Sequence, residues 1–237
     1  METPELFAKL MEHARLVVQL ARLPVVRLRF EQRLNPEGIR HVHRLFTQPH
    51  PRYKVFRNKT MGIALIDLTR FGGHPGGYLH SVRRDGHAGP QSRKATARGY
   101  RLRRIDRNDH IDEIHAIHTS CEVRQGRPMD HHYRIRKDVY DDPSHLECYG
   151  VFDTQGRLAA YCSMGRYGNF VATDQLMGYK NHDGIMYLLL LKIICRLIEE
   201  RDVDYFMYDT FLGAQPGLRD FKRRVGFQPY RARYELA

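Results

Sequence analysis

Tyr208-Asp209-Thr210, followed after a loop containing glycine and proline by Gly217-Leu218-Arg219-Asp220-Phe221-Lys222-Arg223-Arg224-Val225-Gly226-Phe227, decides how this chain is read. An apolar segment ends in an aspartate, a short basic helix follows, and Gly-Phe opens a last strand, Gln228 to Leu236. The pattern upstream is equally regular. Leu146 to Asp153 reads as a strand, Asp153-Thr154-Gln155-Gly156 as a hairpin turn and Arg157 to Tyr167 as the partner strand. A second turn, Tyr167-Gly168-Asn169, leads into a strand from Phe170 to Met177. Gly184 to Glu200 is apolar on most of its circumference, which predicts a central helix about 25 Å long. Asp204 to Tyr208 is the next strand. A hairpin meander, a central helix, a strand, a short helix and a closing strand predict an α/β domain on a mixed, mostly antiparallel sheet flanked by helices.

The first hundred residues continue the α/β character. Thr3-Pro4-Glu5 reads as a helix start, with apolar spacing to about Ala21. Val25 to Phe30 alternates like a strand, Asn35-Pro36-Glu37 opens a helix to about Phe46, and Met61 to Leu68 is a buried strand by composition. Four glycines and a proline between Phe71 and Gly77 predict a loop. Tyr78 to Arg98 is polar and basic, with breaks expected at Gly86, Gly89 and Pro90. Gly99 stops a helix before a strand, Tyr100 to Ile105. His110 to Cys121 predicts another helix, and Arg124 to Met129 a basic loop at its end. No linker-like stretch divides the chain. Residues 1–100 are therefore expected to be an N-terminal α/β extension integral to the fold, and residues 101–237 its core.

Composition bounds the function. A chain of 237 residues with 42% hydrophobic content buries a real core. Its longest apolar run, Ile185 to Leu191, ends at Lys192, well short of the ~20 residues of a membrane span. Met1 to Arg22 carries charges throughout and shows no secretory segment, so the expectation is a cytoplasmic protein without a membrane span. The four cysteines form no C-x-x-C pair, which excludes zinc-ribbon and thioredoxin-type motifs and leaves reduced structural thiols. His115 and His118 have helical ligand spacing, but no H-E-x-x-H occurs and no metal is expected. A net charge of +12 points to a polyanionic partner, whether RNA, a phosphate-bearing substrate or an anionic membrane surface, or else to a basic solubilising face.

Four pieces of the sequence, in order, resemble the Fem-type branch of the GNAT acyltransferase superfamily, the aminoacyl-tRNA-dependent transferases and their relatives. Ser92-Arg93-Lys94-Ala95-Thr96-Ala97-Arg98-Gly99-Tyr100 is similar to the basic helix with an R-K pair that precedes a glycine and a strand. Arg124 and Arg127 stand where the family has a basic residue near the end of a helix. Tyr208-Asp209 matches a strand ending in Y-D, and Phe221 to Gly226 matches F-K-x-x-F/V-G. The resemblance covers roughly residues 78–237. It implies a GNAT-like fold with direct acyl transfer: an amine attacks an activated ester or thioester in a cleft between splayed strands, a backbone N–H stabilises the oxyanion, and an acid or water relay takes the proton.

By the resemblance, the catalytic residues are Asp209, Tyr208 and Lys222, and Phe221 and Lys222 contact the acceptor end of tRNA. Arg219, Arg223 and Arg224 add phosphate-neutralising charge on the same helix. Arg93, Lys94, Arg124 and Arg127 are candidates for phosphate or carboxylate binding. Lys180, Asn181 and Thr210 complete the candidate substrate contacts. Each has a plainer reading: Phe221 as core, the basic helix as a solvated face, Asp209 as a turn cap and Tyr208 as a packed tyrosine. One departure from the wider superfamily bears on the donor. Coenzyme A-dependent members carry a [RQ]-x-x-G-x-[GA] loop before the central helix, whereas Tyr179-Lys180-Asn181-His182-Asp183-Gly184-Ile185 has a single glycine. Asp183 is expected to cap that helix with its own carboxylate, where a pyrophosphate would otherwise sit. This favours aminoacyl-tRNA as donor substrate, with no bound cofactor. A coenzyme A or acyl-carrier-protein thioester is the alternative donor, and a non-catalytic RNA-binding module the alternative function.

Overall fold

The computed structural model describes residues 18–50, 57–84, 86–124 and 127–237. Along them the chain runs β1 (Val25–Phe30), α1 (Pro36–Thr47), β2 (Ile63–Asp67), α2 (Pro75–Arg84), α3 (Ala88–Ala97), β3 (Arg101–Ile105), α4 (Ile111–Thr119), β4 (Val123–Arg124), β5 (Arg127–Pro128), α5 (His131–Arg134), β6 (Leu146–Phe152), β7 (Leu158–Arg166), β8 (Phe170–Gly178), α6 (Ile185–Glu200), β9 (Tyr205–Thr210), α7 (Pro216–Val225) and β10 (Gln228–Leu236). Most of the helix expected from Thr3 to Ala21 lies outside the described residues. The cap read at Asn35 is present: its side-chain oxygen accepts from the Gly38 amide at 3.0 Å, and Pro36 takes the first helical position, where no intrahelical bond is lost.

Eight strands form one sheet in the order β1-β10-β2-β9-β8-β7-β6-β3. β1 with β10 and β8 with β9 are parallel, and the other pairs are antiparallel. This is the mixed, mostly antiparallel α/β sheet expected from the sequence. β1 and β2 are built into it, not set apart. The central helix α6 lies over one face, where Leu188, Leu189, Ile193 and Ile194 pack with Ala160, Cys162 and Met164 of β7 and with Val171, Phe206 and Phe227. The opposite face carries two separate cores. One gathers Leu28, Phe30, Ile39, Phe46, Phe170 and Met207 under α1. The other gathers Ile114, Ile117, Tyr161 and Met177 under α4. Burial on this scale supplies most of the stabilisation, at ~25 cal/mol per Å2 of apolar surface removed from water.

Three local expectations are corrected. The glycine-rich loop ends at His74, because Pro75, Gly76 and Gly77 form the first turn of α2. Gly89 and Pro90 likewise do not break α3 but lie in its first turn. First-turn N–H groups have no acceptor within the helix, so proline is tolerated there. The segment read as a basic loop after α4 holds a small hairpin, with Val123 paired to Pro128 and Arg124 to Arg127.

Gly184, at the N-terminus of α6, has φ +81°, and a Cβ there would stand 2.3 Å from the Gln91 carbonyl oxygen of α3. Gly156 has φ +77° with no atom within 4 Å of that position. Both alanine variants bear the left-handed backbone strain, but only one also forces α3 and α6 apart. Gly156→Ala is expected to lose about 1 kcal/mol and Gly184→Ala about 2–4 kcal/mol in urea unfolding. Equal losses would mean that the α3–α6 contact is not tight.

Candidate active site at the diverging strands

β8 and β9 pair in parallel only through Phe170–Tyr205, Val171–Phe206 and Ala172–Met207. β8 continues to Gly178 and β9 to Thr210, so from Thr173 and Tyr208 onward the two strands part. Both carry an irregularity at that level. On β8 the register against β7 passes from Ser163–Gln175 to Met164–Thr173, which leaves Asp174 as an extra, unpaired residue. On β9 the register against β2 passes from Leu65–Met207 to Ile63–Thr210, which inserts one residue at Tyr208-Asp209. Asp209 itself has φ +50°, a left-handed backbone that aspartate tolerates better than most side chains do. A bulge bends its strand, raises the local twist and re-aims a side chain. Two facing bulges thus open the sheet and present an aspartate on each side of the gap. Asp209 therefore lies inside β9, one residue short of the strand end where the sequence placed it.

Carbonyls freed by this divergence are taken up by cations. The Lys222 ammonium donates to the carbonyls of Tyr208 at 2.7 Å and Thr210 at 2.6 Å, and lies 4.2 Å from the centre of the Tyr208 ring. The Arg124 guanidinium donates to the Gly178 carbonyl through both terminal nitrogens, at 3.2 and 3.3 Å, while its buried Nε has no partner among the described residues. Lys222 is 1% exposed, and burial lowers its pKa to about 8 against the opposing pull of Asp209. It is an internal strap on β9, not part of a solvated basic face.

On the face opposite α6, a polar floor fills the space between the two cores. The Lys59 ammonium contacts Asp209 at 2.8 Å. Burial raises the Asp209 carboxyl, but Lys59 more than offsets it and holds the pKa below the ordinary value. Asp174 accepts a long bond from the Ser163 hydroxyl at 3.5 Å. Burial raises its pKa, and Arg107 opposes the rise only in part. The two aspartates thus shift in opposite directions: Lys59 draws the Asp209 pKa down, whereas burial draws the Asp174 pKa up. Beneath them runs a chain of hydrogen bonds with one proton order. Arg107 donates to Gln175 Oε1 at 3.1 Å and to Asp142 through Nε at 2.8 Å. Tyr161 also donates to Gln175 Oε1, at 2.9 Å, so it must accept from His118 Nε2 at 2.5 Å. Burial lowers the His118 pKa to about 4, which leaves the ring neutral.

The N-terminus of α6 stands at the same end of the sheet. Asp183 does not cap it, because Gly184 occupies the cap position and no side chain bonds there. The Asp183 carboxylate instead accepts from the Tyr100 hydroxyl at 2.9 Å and pairs with Arg98. Lys94 donates to the His182 carbonyl at 2.7 Å, tying α3 to this loop. Arg93, Lys180 and Asn181 are exposed around it, with Asn181 Oδ1 accepting the Asp183 amide at 3.1 Å. The Gln91 carbonyl oxygen thus crowds the N-terminus of α6, while the Asp183 carboxylate is engaged by Tyr100 and Arg98.

The remaining sequence candidates separate in space. Tyr208, Asp209, Thr210 and Lys222 cluster at the end of β9 with Arg124. Phe221 is half-buried against the Tyr187 ring, 4.9 Å between centres, and anchors α7 to α6. Arg219 is half-buried, with its Nε unpartnered among the described residues. Arg223 is exposed, pairs with Asp220, and lines a different hollow beside Arg70 and Tyr230. Arg127 contributes its backbone to the β4–β5 hairpin. Asp174, Lys59, Ser163 and Arg107 were not singled out from the sequence. Thr173-Asp174-Gln175, three polar residues inside an otherwise apolar central strand, is the signal by which the first of them could have been found; Lys59 carries no such mark.

The sequence matches no family model and no curated protein. The structure is similar to FemX, with TM-score 0.54 and 11% identity over 71% of this chain and 59% of that one. It is also similar to a conserved protein of unknown function from Bacteroides thetaiotaomicron, with TM-score 0.50 and 14% identity over 71% of this chain and 56% of that one. A GCN5-related N-acetyltransferase from Kribbella flavida aligns at TM-score 0.38 and 12% identity, over 56% of this chain and 48% of that one. The chain spans less than three fifths of the length of these solved structures. What FemX and the Bacteroides protein share with this chain is the fold, a mixed sheet flanked by helices. Among the described residues, no helix is long and apolar enough to cross a membrane.

The neutral, buried His118 makes stability depend on pH. Its folded pKa of about 4 lies below the ordinary 6.5, so between these values the unfolded chain binds a proton that the folded chain does not. Stability is complete above pH 6.5 and is lost as the pH falls towards 4, by up to about 3 kcal/mol. Urea unfolding at several pH values in that window is expected to show this slope, flattened in His118→Gln. An unaltered slope in the variant assigns the effect to another group.

Proposed function

We propose that the protein transfers an aminoacyl group from an aminoacyl-tRNA to an amine acceptor by direct attack in the gap between β8 and β9. The observation that carries this reading is the pair of facing bulges, with Asp174, whose pKa burial raises, on one strand and Asp209, paired with Lys59, on the other. The acceptor nitrogen attacks the ester carbonyl carbon. The oxyanion that forms takes a hydrogen bond from a backbone N–H of β8 beyond Ala172, where β9 has left the ladder. Asp174 accepts the proton lost by the nitrogen. The carbon–oxygen ester bond then breaks, and the departing ribose oxygen takes a proton from Tyr208, whose phenol burial keeps protonated; water then returns a proton to Tyr208 as Asp174 releases its own to solvent. The acceptor attacks as its neutral amine, its ammonium proton having passed to water, and Asp209, fixed by Lys59, helps to orient it. Lys222 is a positioning residue that holds the carbonyls of Tyr208 and Thr210. Arg124 and Arg219, each with a buried and unpartnered Nε, are suited to the donor's terminal phosphates.

The donor follows from the crowding at α6. In a coenzyme A enzyme that helix end receives the pyrophosphate. Here the Gln91 carbonyl stands against it, which supports a carrier bound elsewhere. The resemblance to Fem-type sequences and the net charge of +12 favour RNA as that carrier.

The direct test is incubation with total charged tRNA, with and without a pool of amines. One amino acid is expected to leave tRNA only when amines are present. Stabilisation by acetyl-coenzyme A with no deacylation of tRNA would replace this reading with a thioester-dependent one. Asp174→Asn is expected to lower kcat about a hundredfold or more while the protein stays folded. The rate should also fall above pH 8, as the buried Lys222 loses its charge. A flat profile from pH 7 to 10 would remove Lys222 from any role that needs the cation.

A further inference from the structure

The ribbon formed by β1 and β10 has two unlike faces. Val26, Leu28 and Phe30 of β1 and Ala232 of β10 are buried, with Tyr234 packed against the same core under α1. Strand alternation therefore turns Val25, Arg27 and Arg29, with Arg231, Arg233 and Glu235, to the other side. The parallel register sets Arg27 beside Arg233, Val25 beside Arg231 and Arg29 beside Glu235. Arg27, Arg29 and Arg233 are exposed. Arg29 has Glu31 at 3.8 Å and Arg231 donates to the Leu23 carbonyl at 3.1 Å. Arg27 and Arg233, like charges held side by side, have no anionic partner among the described residues. Like charges directly opposite on a sheet are destabilising, so this pairing needs a reason outside the folded chain.

We propose that the open face of the β1–β10 ribbon is a docking surface for the phosphate backbone of RNA. This inference rests on the RNA-donor reading and says where the body of the RNA lies. Same-face arginines recur about every 6.6 Å along a strand and about 4.8 Å across to its neighbour. That gives a two-row grid of guanidinium forks suited to successive phosphates. Its place fits the site. Thr210 of β9 is in register with Ile63 of β2, and Ile63 with Tyr230 of β10. β9 and β10 run the same way, so Arg231 and Arg233 continue past the end at which β9 opens its gap. An RNA end entering the gap thus leaves its following phosphates over the ribbon. The face offers one exposed aliphatic, Val25, and no aromatic, a poor anchor for a lipid surface.

The test compares wild type with Arg27→Gln/Arg233→Gln in three assays. The first is binding of deacylated tRNA across a salt series. The variant is expected to bind about tenfold more weakly near 0.1 M salt, with the log–log salt slope smaller by about 1.4–1.8. The second is transfer from full-length charged tRNA against an aminoacylated CCA trinucleotide. The loss in kcat/KM should be about tenfold larger for the full-length donor. The third is urea unfolding, where relief of like-charge repulsion should leave stability equal or higher. If the variant binds tRNA as wild type does, the ribbon proposal falls and the donor reading stands. If wild type itself fails to bind tRNA, both fall. If the variant loses only its attachment to phosphatidylglycerol vesicles, the surface belongs to a membrane and the proposal is overturned.

Discussion

The middle of this sheet is shaped by two β-bulges that face each other across a parallel strand pair. Parallel strands in an α/β sheet normally keep their ladder to the end. Here one extra residue on β8, at Asp174, and one on β9, at Tyr208-Asp209, stop the ladder after Ala172 and Met207. The sheet does not fray at that point, because its neighbours continue on either side and a core lies under each half. The opening is a fixed feature of the fold, held between the α1 core and the α4 core.

Opening a sheet in its middle exposes backbone groups that must find partners. The positions of the cationic side chains follow from that need. Lys222 holds two carbonyls of β9, and Arg124 holds the last carbonyl of β8. Both serve the backbone, and the shape of the gap rests on the frame they stabilise. The carboxylates differ for the same local reasons. Asp209 has an ammonium at 2.8 Å that draws its pKa down, whereas Asp174 has Arg107, a weak hydroxyl bond and Lys59, which together do not offset burial. Environment alone separates the two groups, since both are aspartates on neighbouring strands.

The helix beside the gap shows how packing alters a motif. α6 starts at a glycine because α3 lies so close that no side chain fits between Gly184 and Gln91. The acidic residue before it is drawn away by Tyr100 and Arg98. The charge that seemed available to the helix dipole is neutralised, and steric closure takes its place as the feature that distinguishes this helix end.

By itself, the sequence determined the order of elements from Leu146 to the C-terminus, the central helix and the closing strand–helix–strand. Period-2 and period-3.6 patterns and turn residues are local signals, and these segments carry them strongly. The N-terminal limits of α2 and α3 were misread because Gly and Pro mark breaks in a helix interior but not in its first turn. Only the tertiary structure decided which polar residues meet. Asp174 and Lys59 are 115 residues apart, and a bulge is a relation between two strands, invisible in either one alone. Nor could the sequence show that Lys222 faces inward while Arg223, its neighbour, faces out: both are basic residues of one short helix, and burial depends on where that helix lands on the sheet.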